Sequence, residues 1–276
     1  MSICARRLRV PGLAATLLAA VPACVGAQVD GRALSALPVR ERSLELGGFA
    51  HAVTGGFGGW QGGYLRALVP AGRRDQLAID VVAQRAFGDD GQYAALSLRH
   101  ELSPSSFVVA AGGAGTGRFV LPQARADVIV GRAFGARRAV VVSAGASYVD
   151  AQSLYTDRAA VASVAWYAAP ALVLELAGRA NSSQPGDVRS FRVAPSLTTV
   201  LNGGRQALTL RADVGTEAYQ LLAGTAPVAR DFGSTLVAAA LRHRASAAWG
   251  ATLQAESYHN PYYTRTGVRV GALRFW

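Results

Sequence analysis

Apolar and polar residues alternate along most of this chain. Between Gln206 and Ala218, one alternate set is Leu208, Leu210, Ala212, Val214 and Thr216; the other is Thr209, Arg211, Asp213, Gly215 and Glu217. A helix of 3.6 residues per turn would scatter both sets around its circumference. A strand, with a period of two, puts them on opposite faces. The pattern recurs. Leu172, Leu174 and Leu176 oppose Glu175, Ala177 and Arg179; Ala94, Leu96 and Leu98 oppose Tyr93, Ser97 and Arg99; Leu77, Ile79 and Val81 oppose Ala78, Asp80 and Val82. Val140, Val142 and Ala144 oppose Ser143, Gly145 and Ser147; Ala251 and Leu253 oppose Thr252 and Gln254; Phe191, Val193 and Leu197 oppose Arg192, Ser196 and Thr198. In the last segment Val268 and Val270 oppose Arg265 and Arg269. Weaker examples span 44–54, 60–69, 107–115, 124–134, 158–167 and 234–244. Together they predict about fourteen strands, with twelve and sixteen left open by the weaker segments.

Short connections alternate with a second set that includes longer ones. Short are 70–75, 103–106, 135–138, 169–171, 202–205 and 243–246; long are 116–123, 149–157 and 219–232. No later run reaches the ~18 consecutive apolar residues of a membrane helix. A chain of strands crosses a bilayer only as a closed barrel, because every backbone polar group needs a partner inside lipid. The expected fold is therefore all-β: a transmembrane antiparallel up-and-down β-barrel, its apolar set facing lipid and its charged set facing inward. Slipping the 206–218 strand by one residue would put Arg211 in lipid at a cost of about 2–4 kcal/mol at the midplane, which fixes the register. Arginines on the predicted lipid face (Arg85, Arg132, Arg158, Arg189 and Arg274) all lie at strand ends, where long side chains reach headgroups. Large aromatics fall at the ends too. Phe107, Phe134, Trp166, Trp249 and Trp276 form one expected girdle; Tyr148, Phe191 and Phe232 form the other.

Composition sets the compartment. The net charge is +11, every basic residue is arginine, and 51% of residues are hydrophobic, an ordinary fraction for a soluble protein. Basic charge raises nucleic-acid binding, but these arginines are spread singly among Asp and Glu, so no such partner is expected. Residues 1–27 read as a secretory signal peptide: Arg6, Arg7 and Arg9, an apolar run from Leu13 to Ala20, then Val25-Gly26-Ala27. A lipoprotein site at 21–24 is a weaker rival, because Pro22 sits poorly in it. Both cysteines, Cys4 and Cys24, fall inside this segment, so the mature protein has no disulfide. Residues 28–42 read as a short periplasmic lead-in, and 43–276 as the barrel. The even count puts both termini on the side of the short turns, the periplasmic side of a Gram-negative outer membrane.

The expected inward set carries the candidate chemistry. It comprises Arg66, Arg99, Arg125, Arg179, Arg192, Arg211, Arg265 and Arg269, with Glu45, Asp80, Glu101, Asp127, Glu175, Asp213, Glu217 and Glu256. These groups either pair with one another and fill a narrow interior, or line a hydrated channel whose arginine excess favours anionic solutes. Of four histidines only His259 lies near a predicted outer loop, with Ser257 as its nearest nucleophile, so a rim hydrolase is a minor reading and no catalytic residue is assigned. No cluster has metal-ligand spacing, and no cofactor is implied. Glycine groups such as 55–59 precede no helix and read as hairpin turns. Trp60, Phe119, Tyr155, Tyr219, Tyr258 and Tyr262 fall at the outer end, where rings stack on sugars or, more simply, anchor loops to headgroups.

Three stretches carry a family likeness: LELGGFAHAVTGGFGGWQGGYLRA, SAGASYVDAQSLYTDRAAVASVAWY and the closing SYHNPYYTRTGVRVGALRFW, which stops on Trp276. Over most of 43–276 the chain resembles the YaiO-type outer-membrane β-barrels. The resemblance implies an outer-membrane location, similarity to the barrel parts of polysaccharide-export proteins, and no catalytic residues. Some relatives carry helical repeats before the barrel; residues 28–42 leave no room for them. The terminal Trp276 is the expected signal for the barrel-assembly machinery. Outer-membrane lipids, lipopolysaccharide and a polysaccharide are the other expected partners. The function expected from all this is passage or surface handling of a polysaccharide or small solute. A structural barrel with a plugged lumen is the alternative.

Overall fold

The computed structural model describes residues 41–118, 120–135, 138–151, 155–220 and 229–276. The expected signal peptide, nearly all of the lead-in and Phe119 lie outside the described residues. Fourteen strands follow one another: β1 (Ser43–Val53), β2 (Gly59–Ala71), β3 (Asp75–Ala86), β4 (Asp89–Ser103), β5 (Ser106–Gly115), β6 (Ala124–Phe134), β7 (Val140–Ala151), β8 (Tyr155–Ala169), β9 (Leu172–Gln184), β10 (Val188–Leu201), β11 (Gln206–Gln220), β12 (Ala229–Arg244), β13 (Trp249–His259) and β14 (Thr264–Phe275). Each pairs antiparallel with its sequence neighbours, and β1 pairs with β14 from Ser43↔Phe275 to Val53↔Arg265, which closes the barrel. Closure leaves no sheet edge. No described helix is long and apolar enough to cross a membrane, so any crossing is made by these strands.

The period-two pattern sorts as the sequence predicts. Leu210, Val214, Val237, Val268 and Val270 are exposed on the outer wall, while Arg265, Arg269 and Asp213 are buried inside. On the outer wall of β9–β14, the small Ala212, Ala239 and Ala255 lie between Leu174, Leu197, Leu210, Val237 and Val268 and leave a hollow of about 870 Å³. The outward arginines Arg85, Arg132, Arg158, Arg189 and Arg274 are exposed. Two of them stack on rim rings, Arg132 over Phe134 at 5.5 Å and Arg274 over Trp249 at 4.9 Å.

The strands run further into the connections than the polarity suggests. β7 continues to Ala151, β8 starts at Tyr155, β11 reaches Gln220 and β12 starts at Ala229. Within the expected long loops 149–157 and 219–232, residues 149–151, 155–157, 219–220 and 229–232 are therefore strand, because backbone pairing persists after the side chains turn polar, and the rest lie outside the described residues.

Two ring positions in the expected girdles are wrong. Phe107 is 4% exposed and Phe232 is 6% exposed, and both point inward. Phe107 lies under the Arg99 guanidinium, 3.5 Å from the ring centroid, and at Gly131 an added Cβ would meet the Phe107 ring at 2.1 Å. The ring thus occupies the space a side chain on the neighbouring strand would need. Tyr64 covers Gly47 and Gly271 in the same way, at 2.5 Å from each hypothetical Cβ. Part of the inner wall is apolar: Leu68, Ala78, Phe107, Val109, Ile129, Val141 and Ala165 form one buried cluster near the end that carries the termini.

Candidate functional site

The site is the barrel interior, built from inward positions of all fourteen strands. Strand pairing itself brings several opposite charges together. Arg66 and Asp80 are direct cross-strand partners on β2 and β3, and the Arg66 Nε donates to Asp80 Oδ1 at 2.6 Å. Arg125 and Asp127, two apart on β6, share a face; Nε and Nη2 of Arg125 donate to the two carboxylate oxygens at 2.7 and 2.9 Å. Such forked pairs hold a guanidinium plane in one orientation.

Glu45 collects donors from both sides. Its Oε1 accepts from Tyr64 Oη at 2.7 Å and from Thr252 Oγ1 at 2.6 Å. Arg269 sits beside this group, 4.6 Å from the Tyr64 ring centroid and 5.2 Å from that of Phe49. Arg265 is wholly buried, bonds Glu256 at 2.8 Å, and lies 4.4 Å from the Trp60 ring and 5.4 Å from the Tyr258 ring. His51 reaches the same carboxylate at 3.3 Å.

On the other side of the interior, Arg192 binds Asp213 at 2.8 Å, Glu217 at 3.0 Å and Ser234 at 2.5 Å. Arg211 shares Asp213 at 3.1 Å, and Tyr258 donates to Glu217 at 2.8 Å. Arg179 stands directly opposite Arg192 on β9. With Arg211, Asp157, Asn181, Tyr155 and Tyr219 these groups line a chamber of about 100 Å³, and a second chamber of about 30 Å³ lies among Glu45, Arg66, Arg242 and Arg269. Glu175 lies inward opposite Ala165 and Ser196. Glu101 lies near the terminus end, its backbone N–H bonded to the Arg74 carbonyl. Trp276 is exposed at that end, where its N–H reaches the Arg42 carbonyl at 3.4 Å.

At the far end the rings turn inward rather than toward headgroups. Trp60 and Tyr258 are each 2% exposed. Trp60 packs edge-on against Phe87, Phe87 and Phe57 against Tyr263, and Phe232 against Tyr262. Tyr155 and Tyr219 lie 5.3 Å apart, and the Tyr219 hydroxyl donates to the Pro185 carbonyl. Headgroup anchoring is thus wrong for Trp60, Tyr219 and Tyr258. The reason is register: each falls on the inward set of a strand that continues past it.

Part of the β5–β6 connection, Val120 to Pro122, also folds in. Val120 and Leu121 are buried, Val120 against Trp60, Phe49 and Tyr64, and Leu121 against Tyr93 and Ala95. Asp89 holds it there. Its carboxylate accepts the backbone N–H of Arg118 at 2.9 and 3.0 Å and that of Val120 at 3.1 Å. Sequence reasoning passed over Asp89; its one signal is an acid opening a strand immediately after the Phe87-Gly88 turn. Ser257 and His259 do share a face, because β13 persists to His259, but it is the outer one. His259 bonds Thr264 at 2.9 Å and Ser257 bonds Thr266 at 3.2 Å. Among the described residues no group of His, Cys, Asp and Glu could hold a metal ion.

Comparison with known proteins agrees with this architecture. No curated protein matches the sequence. Among solved structures, a bacterial polysaccharide outer membrane secretin is similar, at 9% identity over 86% of this chain and 98% of that one, with a TM-score of 0.51. The loop L8 deletion variant of OmpT, an outer membrane protein of Vibrio cholerae, is similar at 10% identity over 85% and 98%, with a TM-score of 0.50. At these identities the likeness is one of fold. The description of the YaiO membrane beta barrel domain matches residues 41–220, well over half of the sequence, so the chain belongs to the YaiO membrane β-barrel family.

Proposed function

We propose that this outer-membrane barrel, porin-like in build, is held shut, its interior acting as a rigid ion-paired and aromatic core rather than a standing channel. One observation carries this reading: the inward side chains are buried by one another. Arg265 is 0% exposed, Leu273 1%, Trp60 2% and Arg99 3%, and the chambers between them hold about 100 and 30 Å³. Liquid water occupies about 30 Å³ per molecule, so these two chambers take a few waters and not a sugar chain. On this reading the short turns and both termini face the periplasm, Trp276 is presented to the assembly machinery, and lipids with lipopolysaccharide surround the wall. No hydrolysis is proposed, since Ser257 and His259 are each tied to a threonine on the outer face. Purified protein in planar bilayers is expected to give no steady conductance. A stable ohmic current from the wild type overturns the proposal.

A second reading, passage of a small polar solute, is favoured by the folded-in connection. Most of the wall is closed by strand pairing, whereas in the β5–β6 connection the Asp89 carboxylate and apolar contacts hold Arg118, Val120 and Leu121, and backbone bonds at Thr116 and Gln123 pin its ends. If that segment is a removable stopper, Asp89→Ala yields discrete openings where the wild type is silent. A folded but silent Asp89→Ala protein rules out passage by this route.

A further inference from the structure

The two ends of the barrel differ in charge. At the end that carries the termini, seven arginines are exposed: Arg42, Arg73, Arg74, Arg132, Arg138, Arg205 and Arg274. No Asp or Glu at that end is exposed among the described residues; Glu41, Asp75 and Glu101 are all partly buried. Glu41 and Asp75 are moreover engaged, Glu41 with Arg244 at 2.5 Å and Asp75 with His100 at 2.7 Å. At the far end four exposed arginines, Arg85, Arg118, Arg158 and Arg189, stand with three exposed acids, Asp90, Asp187 and Asp231. Two of those arginines face an acid directly, Arg85 with Asp90 at 3.9 Å and Arg189 with Asp187 at 3.6 Å. One rim is a basic collar and the other is mixed.

The collar's place on the wall identifies what it meets. Arg73 and Arg74 lie in the β2–β3 turn, Arg138 in the β6–β7 turn and Arg205 in the β10–β11 turn, so the charge is spread around the circumference. Arg132 and Arg274 are on the outer wall itself, stacked over Phe134 and Trp249. Exposed rim aromatics sit at the headgroup level of a bilayer. A guanidinium held beside such a ring is within reach of a lipid phosphate. Guanidinium and phosphate form forked, charge-assisted hydrogen bonds. We infer that this collar binds anionic phospholipid headgroups, and so selects the lipid around one leaflet-facing rim of the barrel.

The tryptophans allow a direct test. Trp60 is buried inside, whereas Trp166, Trp249 and Trp276 are 51–56% exposed at the collar end. The chain has four tryptophans in all, so quenching of fluorescence by lipid reports on the collar. Protein is reconstituted into phosphatidylcholine vesicles containing either brominated phosphatidylglycerol or brominated phosphatidylcholine, at low salt. Each basic residue near a surface is worth roughly fivefold in partitioning toward an anionic lipid, so phosphatidylglycerol is expected to compete at least that well for sites beside the tryptophans. Arg132→Gln with Arg274→Gln lowers the preference. Adding Arg73→Gln and Arg74→Gln brings it toward parity, while Arg132→Lys with Arg274→Lys retains most of it. Replacing Arg85, Arg118, Arg158 and Arg189 by Gln at the far end leaves it unchanged. Equal quenching by both lipids in the wild type overturns the inference, as does a preference that survives in the folded fourfold collar variant. Loss of the wild-type preference on adding dextran sulfate at equal charge would assign the collar to a soluble polyanion and overturn it too.

Discussion

Inward glycines make room for inward rings. Phe107 lies flat where a side chain on residue 131 would stand, and Tyr64 does the same over Gly47 and Gly271. An aromatic ring on one strand thereby screens the bare backbone of the next, which offsets the poor strand preference of the glycine. Gly131→Val is expected to destabilise the folded barrel by about 1–3 kcal/mol, the usual range for overpacking. The loss should shrink when Phe107→Ala is made in the same chain. Denaturant unfolding of the two single variants and the double variant measures the coupling; additive losses would count against contact between ring and glycine. Arg265 makes the complementary point for charge. A guanidinium with no exposed surface is tolerable only because Glu256 neutralises it and two rings cover its faces.

A strand in this protein carries two separate instructions, one per face. The outer face is set by transfer to lipid and tolerates charge only near its ends. Leu210, in the middle of β11, and Leu201, at the end of β10, are both exposed on the outer wall. Leu210→Arg is expected to cost about 2–4 kcal/mol and Leu201→Arg about 0–1 kcal/mol. Unfolding titrations in lipid vesicles compare them directly; equal costs would contradict the assigned depths. The inner face follows a different rule, in which opposite charges meet one another. Arg66 meets Asp80 through cross-strand register, Arg125 meets Asp127 two residues along one strand, and Arg192 meets Asp213 and Glu217 on β11. The alternation marks which residues turn inward, but it carries nothing about which of them meet.

Closure between β1 and β14 makes the molecule a single unit, since no strand can leave without opening two edges. Its outer surface presents Leu46, Val128, Val130, Leu176, Leu253 and Val270 to the surroundings. The mature protein is therefore expected to need detergent or lipid to remain dispersed, and to give a strand-rich far-ultraviolet circular dichroism spectrum there. A monodisperse particle in plain buffer by sedimentation, or a helix-rich spectrum, would refute the architecture. Charge adds a direction to the unit. The end with the termini is basic and the far end is mixed, so the two rims meet different headgroup chemistry.

Alternation alone determined that this chain is strands, that there are about fourteen of them, and which face of each meets lipid. Those properties depend on residues two apart, and on a transfer cost large enough to forbid the other register. Tertiary structure alone decided which inward side chains meet. Trp60, Phe107, Tyr258 and Phe232 sit on inward positions, but only the closed barrel decides what each meets: Phe87 for Trp60, the bare Gly131 for Phe107, Tyr263 for Tyr258 and Tyr262 for Phe232. The inward fold of Val120 and Leu121 was equally hidden, because the anchor of Arg118 and Val120, Asp89, lies about thirty residues away in sequence and comes beside them only when β3 to β6 pair. Contacts made across a barrel depend on distances between strands, and a linear pattern does not encode those distances.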